Sequence, residues 1–347
     1  MTIYLALQKE VLVARQHNGA WQTETHLTDM QPTCLAADSQ QPERVYCGTF
    51  GHGLWRSDDS GRTWKQVSEG ITESKVLSVA VSPTERVGKY GVVYAGTEPT
   101  TIFRSEDGGN TWREMKAIRE LPSSSSWSFP PRPYTHHARW ITPDPLVPGR
   151  IFVAIEAGAL VRTLDGGEHW EDRVPGGPID THTLRMHPLV PNRLYSSAGD
   201  GIMGPFAKGK GYVESLDAGN TWHHPSEGLQ HHYLYGLAVD PANPDIIIIS
   251  AAPGPQQAHN PLAAESYIYQ KTPGKPWHEV RQGLPDPKGT VIPKLASHPA
   301  EPGVFYALCN QGLYRSADTG LSWEKLAVTW KEAYLREGTH AIVVNED

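Results

Sequence analysis

Three histidines are the first residues in this chain that could do chemistry: His137, His182 and His340. They occupy equivalent places in an internal repeat. Counted back from the Pro-rich turn of each unit, the residue opening the inner strand reads Thr33, Leu77, His137, His182, Tyr235, Pro293 and His340. Three neutral imidazoles with an open position suit Zn, Mn, Fe or Cu, and a carboxylate could complete the shell. Such a divalent transition metal would acidify a bound water or polarise a carbonyl. Glu98, Glu156 and Asp200 follow second strands, in "AGTEP", "AIEAG" and "SAGDG". Glu156 or Asp200 is the expected base or extra ligand. Arg139 stands two residues after His137, so both side chains leave the strand in one direction. Its expected task is to neutralise an anionic substrate group. His52, His232, Tyr235, His259, Trp127 and Tyr134 map to the same face and are the expected ligand-binding residues.

Three readings of the histidine trio stay open. One is the metal site. A second is metal-free acid–base work by histidine beside Arg139 and Glu156. The third is a water-filled channel whose histidines bond only to solvent. His137 and His182 fall on adjacent units whereas His340 falls across the ring, so one ion serves all three only if every ring reaches inward. His187 and His298 fall in Pro-rich turns and read as surface turn residues.

The elements that must position these residues are set by the repeat. "RSDDSGRTW", "RSEDGGNTW", "RTLDGGEHW", "ESLDAGNTW" and "RSADTGLSW" end at Trp64, Trp112, Trp170, Trp222 and Trp323. Faded copies end at Trp21 and Trp277, giving spacings of 43, 48, 58, 52, 55 and 46 residues. Around each copy lie an apolar strand, a Pro-rich turn, a second apolar strand and a short third strand such as "GLWRS". Four strands per unit repeated round a ring predict an all-β, single seven-bladed β-propeller over residues 1–347, with four-stranded antiparallel blades. The C-terminal "THAIVVN" lacks partners and the N-terminal unit lacks a first strand. The last strand is therefore expected to complete the first blade and close the ring. Long insertions at 116–135, 199–212 and 252–267 map to the face opposite the Pro-rich turns. Long loops in compact domains are usually functional or disordered, and 116–135 is the expected lid.

The motif Ser/Thr-x-Asp-x-Gly-x-x-Trp resembles the Asp-box, or bacterial neuraminidase repeat, across nearly the whole chain. That resemblance implies a sialidase- or glycosyl-hydrolase-like propeller. The family spans sialidases, xyloglucan hydrolases, sortilin-like receptors and photosystem assembly factors, so fold alone does not give function. In it the box sits between third and fourth strands. Asp59, Asp107, Asp165, Asp217 and Asp318 are expected to accept turn amides, and the box glycines to adopt a backbone costly for other residues. Sialidase chemistry uses an Arg triad, a Tyr–Glu nucleophile pair and an Asp acid, and usually begins with an Arg-Ile-Pro-like strand near the N-terminus; no such strand occurs here.

The chain has 347 residues and a net charge of −7 without a basic run, which argues against a nucleic-acid partner. No stretch has the length and apolarity of a membrane helix. The start lacks a signal-peptide pattern, and three Cys make no disulfide or metal framework. The resulting expectation is a cytoplasmic hydrolase or lyase acting on a small polar or sugar-like substrate. The alternative is a non-catalytic binding or assembly propeller with a protein partner.

Overall fold

A computed structural model describes residues 1–205 and 207–346. Phe206, inside the 199–212 insertion, and Asp347 lie outside the described residues. Seven antiparallel sheets form a propeller. Thr339–Asn345 pairs with Thr2–Leu7, which continues through Val11–His17 to Ala20–His26, so the first blade is built from both chain ends. The other inner strands are Pro32–Asp38, Lys75–Val87, Ala138–Pro143, Thr181–Met186, Tyr233–Val239 and Lys294–Ser297. They neighbour one another in chain order, and the last meets Thr339–Asn345. Five blades have the expected four strands. The blades opening at Ala138 and Thr181 have three, their fourth strand reduced to the bridges Arg162–Glu171 and Glu214–His223.

Each Asp box is a closed turn. Asp165 Oδ1 accepts the His169 amide at 2.9 Å, and Thr163 Oγ1, itself 2.9 Å from Asp165 Oδ1, accepts the Gly167 amide. The same ladder recurs at Asp59, Asp107, Asp217 and Asp318. Gly167 has φ +93° and presses on the previous blade, where an added Cβ would fall 1.8 Å from Met115 Cε. Its conformation favours glycine, and an added Cβ would also force the buried Met115 side chain to shift. The Pro-rich turns are capped from within: Asp144 Oδ1 accepts the Leu146 and Val147 amides, and Asp240 does the same for Ala242 and Asn243. His187 and His298 take that place in their blades. They are turn residues as expected, but buried rather than on the surface.

The feature that builds the site is a bulge at the head of most inner strands. Ladder register skips Thr33, Leu77, Arg139, His182 and the pair Tyr235–Gly236, and shifts again at His340. A bulged residue leaves the up–down alternation of its strand. Here Thr33, Leu77, Arg139, Tyr235 and His340, with Lys294, form the waist of the central channel. The waist separates a chamber of about 940 Å³ on the loop face from one of about 410 Å³ on the turn face.

Candidate functional site

The larger chamber is roofed by the three insertions. Phe129, Pro130, Pro131 and Arg132 come from 116–135; Gly199, Ile202 and Met203 from 199–212; Pro255, Ala258, His259 and Pro261 from 252–267. The rest of the first insertion forms two short 3-10 helices, Lys116–Glu120 and Pro122–Ser126, with Ile118 and Leu121 in the core. Arg132 ties the insertion down through Glu98, with Nη2 2.5 Å and Nε 3.2 Å from its carboxylate oxygens. Lys75 Nζ adds a third contact at 3.1 Å.

At the chamber wall stands an ionic chain centred on Glu156. His137 Nε2 lies 2.7 Å from Glu156 Oε2, and Arg139 Nε lies 3.6 Å from the same oxygen. Arg139 Nη2 donates to the Tyr235 hydroxyl at 2.5 Å. Burial alone would raise the Glu156 carboxyl, but the His137 hydrogen bond and the charges of His182 and Arg139 hold it well below the ordinary range. His137 is buried, its ring meets Phe129 edge-on at 4.7 Å, and its Nδ1 faces Glu98 Oε2 at 3.6 Å.

His182 is fully buried. Its Nδ1 lies 2.6 Å from the Leu234 carbonyl oxygen. A carbonyl can only accept, so Nδ1 carries a proton; Nε2 presents a lone pair in the neutral ring and a second N–H in the imidazolium. That Nε2 has no hydrogen-bond partner and points between Glu156 Oε1 and Asp180 Oδ2, each 3.7 Å away. Burial, aided by the charges of Glu156 and Asp200, pushes the Asp180 carboxyl up. Three atoms able to ligate therefore converge, and either a proton or a cation can stand between them.

Among the described residues, two groups of metal-ligand atoms lie within 4.8 Å of one another: Glu156, Asp180 and His182, and His298, Glu301 and Glu346. The second is no ligand set. His298 Nδ1 accepts the Ala300 and Glu301 amides, so its Nε2 carries the proton that faces the glutamates. His137 and His340 are not in the first group: His137 gives its Nε2 proton to Glu156, and His340 stands lower, at the waist. The structure thus brings one of the three expected histidines to a cluster of donor atoms, with two carboxylates rather than two further imidazoles.

The remaining expected residues divide. Tyr235 and His259 line the chamber; His259 Nε2 lies 2.9 Å from the Tyr233 hydroxyl, and burial holds its imidazole well below the ordinary value. Asp200 is not at the chamber wall. Its carboxylate accepts the Ile179 and Asp180 amides at 2.9 and 2.8 Å, so it holds the loop that presents Asp180. Trp127 is buried in the core, donating to Ser123 Oγ and packing edge-on against His136. Tyr134 is 85% exposed and His52 is exposed, and neither lines the chamber. His232 lies outside the lining as well. Sequence reasoning missed Asp180 and Lys294. Asp180 stands two residues before His182 and Lys294 one after Pro293, so a tolerance of two residues for bulges would have found both.

Residues 54–67 match the family description "BNR-Asp box repeat". No curated protein matches the chain. Among solved structures, an ancestral GH74 enzyme superposes with TM-score 0.63 at 16% identity, over 87% of this chain and 39% of its own. The GH74 enzyme of Niastella koreensis gives 0.67 at 16% identity, over 93% and 52%. YCF48 bound to D1 peptide gives 0.59 at 16% identity, over 99% and 94%. The chain therefore spans about half or less of the two GH74 enzymes but nearly all of YCF48. At these identities the likeness is one of fold: an Asp-box propeller with seven blades. No helix among the described residues is long and apolar enough to cross a membrane.

Proposed function

We propose that the chain is a metal-assisted hydrolase or lyase that takes a small anionic, sugar-like substrate into the larger chamber. The supporting observation is His182 Nε2, buried, without a hydrogen-bond partner and aimed between two carboxylates. Like-signed acceptors in a low-dielectric wall repel unless a cation or proton stands between them. His182, Glu156 and Asp180 would hold a divalent cation, and the Leu234 carbonyl, by accepting from Nδ1, would leave Nε2 free to ligate. One imidazole with two carboxylates favours Mn or Zn over Cu. The ion would supply Lewis acidity or an acidified water. The chain's own groups supply the rest. His137, hydrogen-bonded to Glu156, is the proton carrier nearest the ligand set. Arg139 faces an anionic substrate group, and Phe50 and Phe129 offer apolar ring faces to a sugar.

Plasma mass spectrometry on untagged protein tests this reading. The expected result is close to one equivalent of Mn or Zn in wild type, lost in His182→Ala and kept in His340→Ala. Metal well below one equivalent, and unchanged by His182→Ala, overturns it.

A second reading, a binding propeller, draws on the near full-length likeness to YCF48, whose structure holds a peptide. The rim carries exposed Ile202, Met203 and Leu262, which suit a protein partner. Under it the chamber takes a peptide segment and metal content has no bearing on affinity.

A further inference from the structure

Lys294 opens the seventh inner strand at the channel waist and touches both chambers. Its side chain is buried, yet Nζ has no hydrogen-bond acceptor and no carboxylate within ion-pair distance among the described residues. Nζ sits 3.7 Å from the centroid of the Tyr235 ring, the same ring whose hydroxyl accepts from Arg139. The Arg139 guanidinium lies 5.0 Å from that centroid, so two cationic groups share one aromatic face-pair. A lysine usually avoids this setting: a buried stem, no counter-ion in contact, and a permanent cation alongside. The other groups facing it are His340 at the waist, His259 across the chamber and Glu156 beyond Arg139. Burial, reinforced by Arg139 and only partly opposed by Glu156, pushes the Lys294 ammonium well below its ordinary value; His340, exposed to the channel but enclosed by the ring, is lowered by that enclosure and by Lys294 and Arg139. An ammonium in such a place sheds its proton and becomes a nucleophile.

We propose that Lys294 is an amine nucleophile that forms an imine with a small carbonyl compound entering the larger chamber, a 2-oxo acid by the character of its neighbours. The carboxylate of such a compound would meet Arg139 while its carbonyl carbon meets Nζ. In the step, the neutral amine nitrogen bonds to the carbonyl carbon and the carbonyl oxygen takes up the protons leaving nitrogen. That oxygen departs as water and a carbon–nitrogen double bond remains. Nothing is oxidised or reduced, and addition of water reverses the step. The inference does not depend on a cation at His182, since none of the three donor residues contacts Nζ.

The test is reductive trapping on wild-type protein. Glyoxylate or pyruvate is added with cyanoborohydride at neutral pH, and adducts are mapped by peptide mass spectrometry. A solvated lysine is neutral in roughly one molecule in 2,500 at pH 7, given its ordinary value of about 10.4. Lys294 should therefore be modified at least about tenfold faster than exposed Lys65. Lys294→Arg should remove only that adduct, and formaldehyde, which lacks a carboxylate, should show less preference for Lys294 over Lys65. Modification of Lys294 at or below the rate of Lys65 overturns the proposal. Failure of the metal experiment leaves this prediction standing, because the trapping is run with chelator present.

Discussion

Glu156→Gln tests the electrostatic logic of the site most directly. The substitution keeps shape and removes the charge that His137, Arg139 and His182 all face. At 3.6 Å from Arg139 Nε, an effective dielectric near 20 gives an attraction of about 4–5 kcal/mol. Relief of carboxylate desolvation offsets part of that, while Arg139 is left buried without its anion. The expected loss is about 3–5 kcal/mol of folding stability at pH 7, read by urea denaturation. Arg139→Met in the same background should recover part of it, with a coupling of at least about 1 kcal/mol. The pH dependence carries its own sign. The folded carboxyl lies below its ordinary 4.5, so Glu156 stabilises fully above that pH and loses its contribution as pH falls through the folded value. The gap between wild type and variant should therefore narrow below about pH 4. A loss under about 1 kcal/mol, or no coupling with Arg139→Met, would refute the reading of Glu156 as the charge that holds this wall together.

Two further outcomes follow from named contacts. Asp200→Asn should leave the fold intact but loosen the loop that presents Asp180, weakening Mn binding about 10–100-fold in calorimetric titration; unchanged affinity would show that Asp200 does not position Asp180. Gly167→Ala should cost about 2–4 kcal/mol in urea denaturation, from positive φ and from Met115, and Met115→Ala in the same chain should recover only the steric part.

The sequence made the frame legible and the site partly so, for one physical reason. The Asp boxes are local turns, closed by residues within four positions of each other, so their pattern is visible in the chain. Ring closure was equally readable, because an orphan last strand and a first blade short of one strand have one solution. The site depends on where the inner strands bulge. Counting from the Pro-rich turn assumes unbroken alternation, and it found Thr33, Leu77, His182, Tyr235 and His340, which leave the ladder in the structure. In the fourth blade the residue skipped is Arg139 rather than His137, and in the seventh the waist residue is Lys294 rather than Pro293. A bulge adds one residue to one strand, which shifts a side chain by a full face. Trp127 and Tyr134 failed for another cause: an aromatic insertion looks alike whether it packs down or points out, and burial is decided by tertiary contacts.

The chamber's charges are segregated by height. Glu156 and Asp180 stand in its wall beside His182, whereas Arg139 and Lys294 stand at the waist below. Arg139 belongs to both sets, touching Glu156 on one side and Tyr235 on the other. A cation bound at the wall would weaken the hold of Glu156 on Arg139, since one carboxylate would serve two positive partners. The guanidinium would then be freer to bind an anion at the waist. Cation and anionic substrate should therefore bind with positive cooperativity, each tightening the other by the same factor. Titrating a sugar acid with and without saturating Mn, and Mn with and without the sugar acid, should give equal ratios above one. Linkage makes the two ratios equal by any route, so their size is the test: a common ratio of one would mean that the wall and the waist act independently.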